Sequence, residues 1–182
     1  MSQPRERIVM ACLAAGLIAL AVPQLLRSAG RIEAGLLRLK QALPTGGPAD
    51  PALLEKAAAD LERGLAREPA DARAWAALSH ADLALDRPEA AAKALSAGLF
   101  ASRADPYLNP SWCVLGLALW PRLEPSDQAR IGEEIRWAWR DRRPLILTLA
   151  RTGEAPAGLI RDALGEAERT EFDRRLQAPG DR

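Results

Sequence analysis

Aromatic residues are scarce in this sequence: five Trp, two Phe and one Tyr make up 4% of its 182 residues. Residues branched at Cβ are also few, whereas Ala, Leu, Arg and Glu dominate. These dominant residues lose little side-chain freedom in a helix and therefore favour it. Because 48% of the residues are apolar, the chain can bury a sizeable core. The composition predicts an all-α protein with room for one ordinary domain and an additional anchor.

Side chains that carry out chemistry are equally scarce. His80 is the single histidine, and Cys12 and Cys113 are too far apart to suggest a disulfide or a shared metal site. A catalytic triad would need a nucleophile and an acid beside His80, and no local pattern supplies them. Gly46-Gly47 lacks the spacing of a phosphate-binding loop. We expect no cofactor, no metal, no small-molecule substrate and no enzymatic activity.

Charge is balanced as well. The chain has 25 Lys and Arg against 24 Asp and Glu, so its net charge is +1. Nucleic-acid-binding domains are usually strongly basic. A nucleic-acid partner is therefore not expected.

A long apolar run stands near the start of the chain. Residues 8–26 contain no charged side chain, and a helix of that length spans about 28 Å, close to the ~30 Å hydrocarbon core of a bilayer. We interpret the run as a single transmembrane helix within an anchor segment, residues 1–27. A cleaved signal peptide and a buried helix of a soluble domain are the alternatives, the former because Ala19-Leu20-Ala21 resembles a cleavage site. The positions that define the membrane helix are Ile8, Ala11, Ala15, Gly16, Ala19 and Leu26.

Positive charges flank this run on both sides, so they define its orientation only weakly. The short basic head, with Arg5 and Arg7, favours an N-terminus inside the cell. The main body would then be periplasmic, attached to the bacterial inner membrane. Ala11, Ala15 and Ala19 recur every four residues, a spacing that lets a second membrane helix approach closely.

Residues 28–50 connect this anchor to the rest of the chain. Ile32, Leu36, Leu39 and Leu43 are spaced for one face of an amphipathic helix over 28–43. The sequence Pro-Thr-Gly-Gly-Pro then ends that helix. Asp50 and Pro51 have the side chains of a helix cap and of a first helical residue.

A stretch of 17 residues occurs twice, 34 positions apart. Residues 55–71 and 89–105 share eight identities. A fixed period of this length is typical of a helical repeat. The identical pairs begin at Glu55 and Glu89 and include Ala57 and Ala91, Ala58 and Ala92, Leu61 and Leu95, Gly64 and Gly98, and Leu65 and Leu99.

The region 51–143 resembles the tetratricopeptide repeat, a 34-residue helical hairpin with a W-x-x-L-G start and an inner Ala in its second helix. Trp75, Leu78 and the small Ser79 match that start, and Ala91 matches the inner alanine. A full W-x-x-L-G begins at Trp112 and marks the start of the third unit. The tyrosine position of the family holds Asp82 in this sequence. The resemblance implies a short α-solenoid with one good unit and two degenerate ones.

Two candidate binding sites follow. In the resembled family the first helix of each unit lines a groove that binds peptides, and the matching positions here are Arg73, Ala76, His80 and Leu83. A basic–aromatic patch near the end of a helix could contact lipid headgroups or an anionic glycan; it consists of Arg136, Trp137, Arg140 and Arg143. The alternative for these arginines is a structural role at the negative end of the helix dipole, with Trp139 in the core.

Residues 144–176 contain further apolar positions at helical spacing and are predicted to cap the last repeat, and 177–182 form a tail. The organisation as a whole predicts a membrane-anchored adaptor or scaffold that binds a protein partner in the bacterial envelope. Its layout is similar to that of small accessory proteins of bacterial exopolysaccharide assembly. The alternative is a structural subunit of a membrane protein complex that associates mainly through its transmembrane helix.

Overall fold

The computed structural model describes residues 30–43, 49–102 and 106–177, and it divides the chain into two compact units at Pro69. Every regular element in these ranges is a helix, so the predicted all-α class is confirmed there. None of the helices in the described ranges has the length and apolarity to cross a bilayer. The proposed membrane helix 8–26, with Ile8, Ala11, Ala15, Gly16, Ala19 and Leu26, lies outside them.

The first unit contains a pair of antiparallel helices, α1 (30–42) and α2 (Pro51–Leu65). Asp50 begins α2 as predicted, because its carboxylate accepts hydrogen bonds from the backbone N–H groups of Ala52 and Leu53. The two helices approach so closely that a Cβ on Gly64 would lie 2.5 Å from Ile32 Cγ1. The predicted amphipathic helix therefore serves as the partner of α2.

The buried face of α1 differs in part from the predicted one. Ile32 is buried, but Leu43 is 41% exposed and Leu36 is half-buried. Gly35 and Ala42 are buried in their place. At Gly35 the approach of α2 is so close that a Cβ would lie 2.7 Å from Leu61 Cγ. A prediction from hydrophobicity alone therefore placed Leu36 and Leu43 on the buried face wrongly. Small side chains are buried instead, because they allow two helices to approach most closely.

Within its described residues, 70–102 and 106–177, the second unit contains seven α-helices and one 3₁₀ turn. Most begin beside a proline. Proline has no backbone N–H, and the N–H groups in the first turn of a helix have no partner within the helix, so proline fits there without losing a hydrogen bond. The elements are α3 (Ala72–Ala84), α4 (Pro88–Ala101), α5 (Asn109–Leu119), the 3₁₀ turn Trp120–Arg122, α6 (Pro125–Asp141), α7 (Arg143–Ala150), α8 (Glu154–Ala163) and α9 (Glu166–Gln177).

Packing within the second unit follows the order of the chain. From α3 to α8, each helix packs on the one that follows it. Contacts between next-but-one neighbours join α3 to α5, α4 to α6, α6 to α8 and α7 to α9. A single apolar cluster runs along this stack, from Ala76 in α3 to Phe172 in α9. Each helix is thus stabilised mainly by its near neighbours in sequence.

The two W-x-x-L starts occupy equivalent places in two successive hairpins. In the hairpin α3–α4, the Ser79 hydroxyl is buried and donates a hydrogen bond of 2.9 Å to the carbonyl oxygen of Ala91, twelve residues on. In the hairpin α5–α6, Gly116 lies against Ile131, fifteen residues on. In both hairpins the second helix begins 13 residues after the Trp, at Pro88 and at Pro125.

The 34-residue repeat is matched in burial as well as in sequence. Ala57, Ala58, Leu61, Gly64 and Leu65 are all buried in α2, and the five equivalent residues of α4 are buried too. Glu55 and Glu89 are both exposed. The identities therefore mark positions with the same environment in the two helices.

We predict that Gly98→Ala destabilises the protein whereas Gly158→Ala does not. A Cβ at Gly98 would lie 2.8 Å from Trp112 Cη2 and 3.0 Å from Trp75 Cβ, while a Cβ at Gly158 meets no atom within 4 Å. Overpacking should outweigh the gain in helix propensity and lower the free energy of unfolding by about 1–2 kcal/mol for Gly98→Ala. Gly158→Ala should raise it by up to about 1 kcal/mol. Urea denaturation measures both, and equal effects would contradict the close contact.

Candidate functional site

The four predicted groove residues on α3 do not share one open face. Ala76 is only 3% exposed and belongs to the apolar cluster. Leu83 is partly buried and packs against that cluster, and His80 is half-buried. Arg73 alone is exposed. The expectation that Ala76 lines a peptide groove is therefore corrected, because neighbouring helices cover it.

Burial also sets the protonation of His80. Desolvation disfavours the charged imidazolium and lowers the pKa of His80 below its ordinary value of 6.5. Burial therefore favours the neutral imidazole. In the described residues, no group of three or more His, Cys, Asp or Glu side chains is placed to hold a metal ion.

The arginines of the predicted basic–aromatic patch bind other parts of the protein. Arg136 Nη1 donates to the carbonyl oxygen of Ala163 at 2.9 Å, and Arg140 Nε donates to the Glu168 carboxylate at 3.1 Å. Arg143 lies over the ring of Trp139, 4.8 Å from its centroid. Trp139 is buried, as the structural alternative predicted. Arg136 and Arg140 thus connect α6 to the end of α8 and to α9.

Trp137, the fourth residue of that patch, has a different environment. Its side chain is 38% exposed. The guanidinium of Arg142 lies 5.8 Å from the centre of its ring and donates a hydrogen bond of 3.3 Å to the carbonyl oxygen of Pro106. Trp137 is therefore linked through Arg142 to the segment that precedes α5.

Two further aromatic residues are more exposed than Trp137. Phe100, near the end of α4, is 85% exposed, and Tyr107, just before α5, is 86% exposed. We call Phe100, Tyr107 and Trp137 the exposed aromatic surface. These are three of only eight aromatic residues in the chain. Large aromatic side chains left in water are unusual, and such residues often mark binding surfaces.

Contacts with α6 hold both flanks of this surface. Arg130 Nη2 donates to the carbonyl oxygen of Ser102 at 3.3 Å, two residues after Phe100. Asn109, two residues after Tyr107, is buried and donates to the backbone carbonyl of Glu134 at 2.9 Å. The end of α4 and the start of α5 are therefore fixed to the helix that carries Trp137.

A shallow cleft of about 450 Å³ lies beside the same helix α4. It is lined by Glu89, Ala92, Lys93, Ser96, Arg122 and Glu124. Arg122 donates to the Glu89 carboxylate at 3.1 Å, and this hydrogen bond lowers the pKa of Glu89. The Ser96 hydroxyl donates to the Asp127 carboxylate.

Sequence reasoning missed Phe100 and Tyr107, although one signal was present. The 34-residue repeat aligns Phe100 with Ala66, and both positions are exposed. At an exposed position, an aromatic side chain in place of alanine adds no buried apolar area and so does not stabilise the core. Comparing exposed positions between repeats would have identified Phe100. For Tyr107, which lies outside the aligned stretch, we find no comparable signal.

A scan against models of known protein families, a search of curated proteins and a search of solved structures found no match to this chain. Its function is consequently inferred from its own residues.

We predict that the Cys113 thiol is unreactive in the folded protein. Burial and, to a lesser extent, the nearby Glu134 carboxylate raise its pKa to about 12, so thiolate is nearly absent at pH 8. Alkylation by iodoacetamide should be at least about a hundredfold slower in the folded than in the urea-unfolded chain. A Cys12→Ser background removes the second thiol. Similar rates in both states would contradict the burial of Cys113.

We also predict that the C-terminal helices lose stability in acid through Glu168. Desolvation opposes ionisation of this carboxyl, but hydrogen bonds from the Gly165 N–H and from Arg140, with the charge of Arg136, outweigh it and lower the pKa below 4.5. The unfolded chain then binds the proton more readily, so the stabilisation is present above about pH 4.5 and is lost as the pH falls through the folded pKa. Urea unfolding between pH 6 and 3 should show a shallower acid limb for Glu168→Gln. Identical limbs would exclude this role for Glu168.

Proposed function

We propose that this protein is a membrane-anchored adaptor of the tetratricopeptide-repeat type, which binds a protein partner in the bacterial envelope. The observation that carries the proposal is the exposed aromatic surface. Phe100 and Tyr107 are almost fully exposed on a stack of helices whose other large apolar side chains are mostly buried. In this proposal the helix stack positions the surface, and the surface provides the binding residues.

The repeat architecture is supported by packing and by periodicity together. Solenoid proteins are stabilised by contacts between neighbouring units, and packing in the second unit is of this sequential kind. Small residues at Ser79, Gly98 and Gly116 lie where helices meet most closely. The matched burial of α2 and α4 agrees with the same reading.

Partner binding is supported by the chemistry of the exposed residues. A few aromatic and arginine side chains supply most of the binding energy in many protein interfaces. Trp137 with Arg142, and Tyr107 beside Pro106, combine these residue types. We propose this surface, in place of the α3 groove around Arg73 and His80, as the main contact with the partner.

The location in the envelope rests on the sequence alone. Residues 8–26 have the length and apolarity of a single transmembrane helix. We propose that it anchors the chain in the inner membrane with its main body in the periplasm. A role in exopolysaccharide assembly is the corresponding proposal for the pathway.

Site-specific photocrosslinking of the full-length protein in membranes tests the adaptor proposal. A benzophenone side chain at position 100 or 107 should crosslink one defined protein. The same group at Thr148, exposed on α7, is the matched control and should not. Crosslinks from position 73 or 80 alone would return the site to the α3 groove. Crosslinks from position 15 alone would favour a subunit held by its membrane helix.

Substitution of the surface residues measures how much they contribute to the affinity for the partner. Because Phe100 and Tyr107 are exposed, Phe100→Ser with Tyr107→Ser should change the free energy of unfolding by no more than about 0.5 kcal/mol per site. Affinity for the crosslinked partner should fall at least about thirtyfold, corresponding to a hot spot of ~2 kcal/mol. Thr148→Ser is the control. Unchanged affinity of the double variant would exclude this surface.

A further inference from the structure

The last helix, α9, is held by very little apolar surface. Of its twelve residues only Phe172 is buried. The ring of Phe172 meets Trp139 of α6 edge to face, with centroids 5.7 Å apart and an interplanar angle of 73°. Leu176, one turn later, is partly buried against the same cluster. One aromatic anchor therefore accounts for most of the hydrophobic stabilisation of α9.

Charged pairs fix the orientation of α9 around this anchor. Arg140 of α6 donates to Glu168 at 3.1 Å, and Arg161 of α8 donates to Asp173 through Nε at 2.8 Å and Nη2 at 2.6 Å. In both pairs the cation belongs to the underlying helices and the carboxylate to α9. We call Trp139, Arg140, Arg161 and the face of α7 beneath α9 the α9 seat. Exposed ion pairs contribute little to binding free energy, but they contribute to specificity for a segment with matching charges.

The connection to α9 is also short and the helix itself is weak. Leu164 and Gly165 separate it from α8. A 12-residue helix is marginal in water without tertiary packing. Elements with few buried apolar contacts open locally at much lower free energy than the whole domain. Opening of α9 would expose Trp139 and leave Arg140 and Arg161 without their carboxylate partners.

We propose that the α9 seat is a docking site for an acidic amphipathic helix of the protein partner, and that α9 occupies it in the free protein. This inference rests on the proposed adaptor function. The ligand is defined by what α9 presents: a carboxylate, an aromatic residue four positions later, a second carboxylate next to it, and an apolar residue after one further turn. Glu168, Phe172, Asp173 and Leu176 are these residues.

Hydrogen exchange of the full-length protein tests the opening. Amides of 166–177 should exchange at least about tenfold faster than the buried amides of α6, because α9 opens without global unfolding. Exchange of α9 only through global unfolding would overturn the proposal. This measurement requires no partner.

Peptide binding tests the seat itself. The probe is a fluorescent peptide with the sequence of residues 166–177, added to the full-length protein. It should bind the Phe172→Ala variant at least about tenfold more tightly than wild type, since α9 then competes less well for the seat. Equal binding to the two proteins would overturn the proposal. If Phe172→Ala fails to fold, Glu168→Arg with Asp173→Arg replaces it, because both residues lie outside the core and the change weakens α9 through its charged pairs.

A charge swap separates docking from nonspecific binding. In the Phe172→Ala background, Arg161→Asp should reduce peptide affinity at least about fivefold, and a peptide carrying Asp173→Arg should recover it. If the Asp173→Arg peptide does not recover binding, Arg161 does not contact the ligand and the proposed docking mode is wrong. Peptide binding tests the α9 seat, and crosslinking from positions 100 and 107 tests the adaptor proposal. A negative result in one experiment therefore leaves the other proposal standing.

Discussion

Gly98 lies where the backbone of α4 meets Trp75 of α3 and Trp112 of α5, and no side chain fits between them. The same constraint recurs at Gly116 against Ile131 and, in the first unit, at Gly64 against Ile32. Interiors are close-packed, so helices can approach this closely only where small residues face large ones. The alternation of Gly, Ala and Ser with Trp, Ile and Leu therefore decides which helices can be neighbours.

Charge has a different role at the C-terminal end of the stack. The basic residues on either side of Trp137 contact other helices: Arg136 donates to the carbonyl oxygen of Ala163 and Arg140 to the carboxylate of Glu168. Arg169 similarly turns back to the carbonyl oxygens of Arg161 and Leu164 at the end of α8. Such contacts satisfy backbone groups that a helix end leaves without partners. A cluster that suggests a lipid or glycan site in sequence is thus largely engaged within the fold.

The distribution of aromatic residues links the fold to its proposed function. Trp112, Trp139 and Phe172 fill the core, whereas Phe100 and Tyr107 face water. A chain with so few aromatic side chains gains stability from burying each of them. Two are nevertheless almost fully exposed, on segments that Arg130 and Asn109 connect to α6, and the proposed function assigns them to contact with a partner.

Local chemistry was enough to predict an all-α chain, the start of α2 at Asp50 and Pro51, and a 34-residue period whose identical positions prove to share their burial. Those features depend on residues a few positions apart and on the 3.6-residue period of a helix. The burial of Ala76, the exposure of Phe100 and the pairing of Arg140 with Glu168 were decided only by tertiary structure. Each of these features depends on which distant segment packs against the residue. The period of a helix shows which residues share a face, but it does not show which other helix contacts that face.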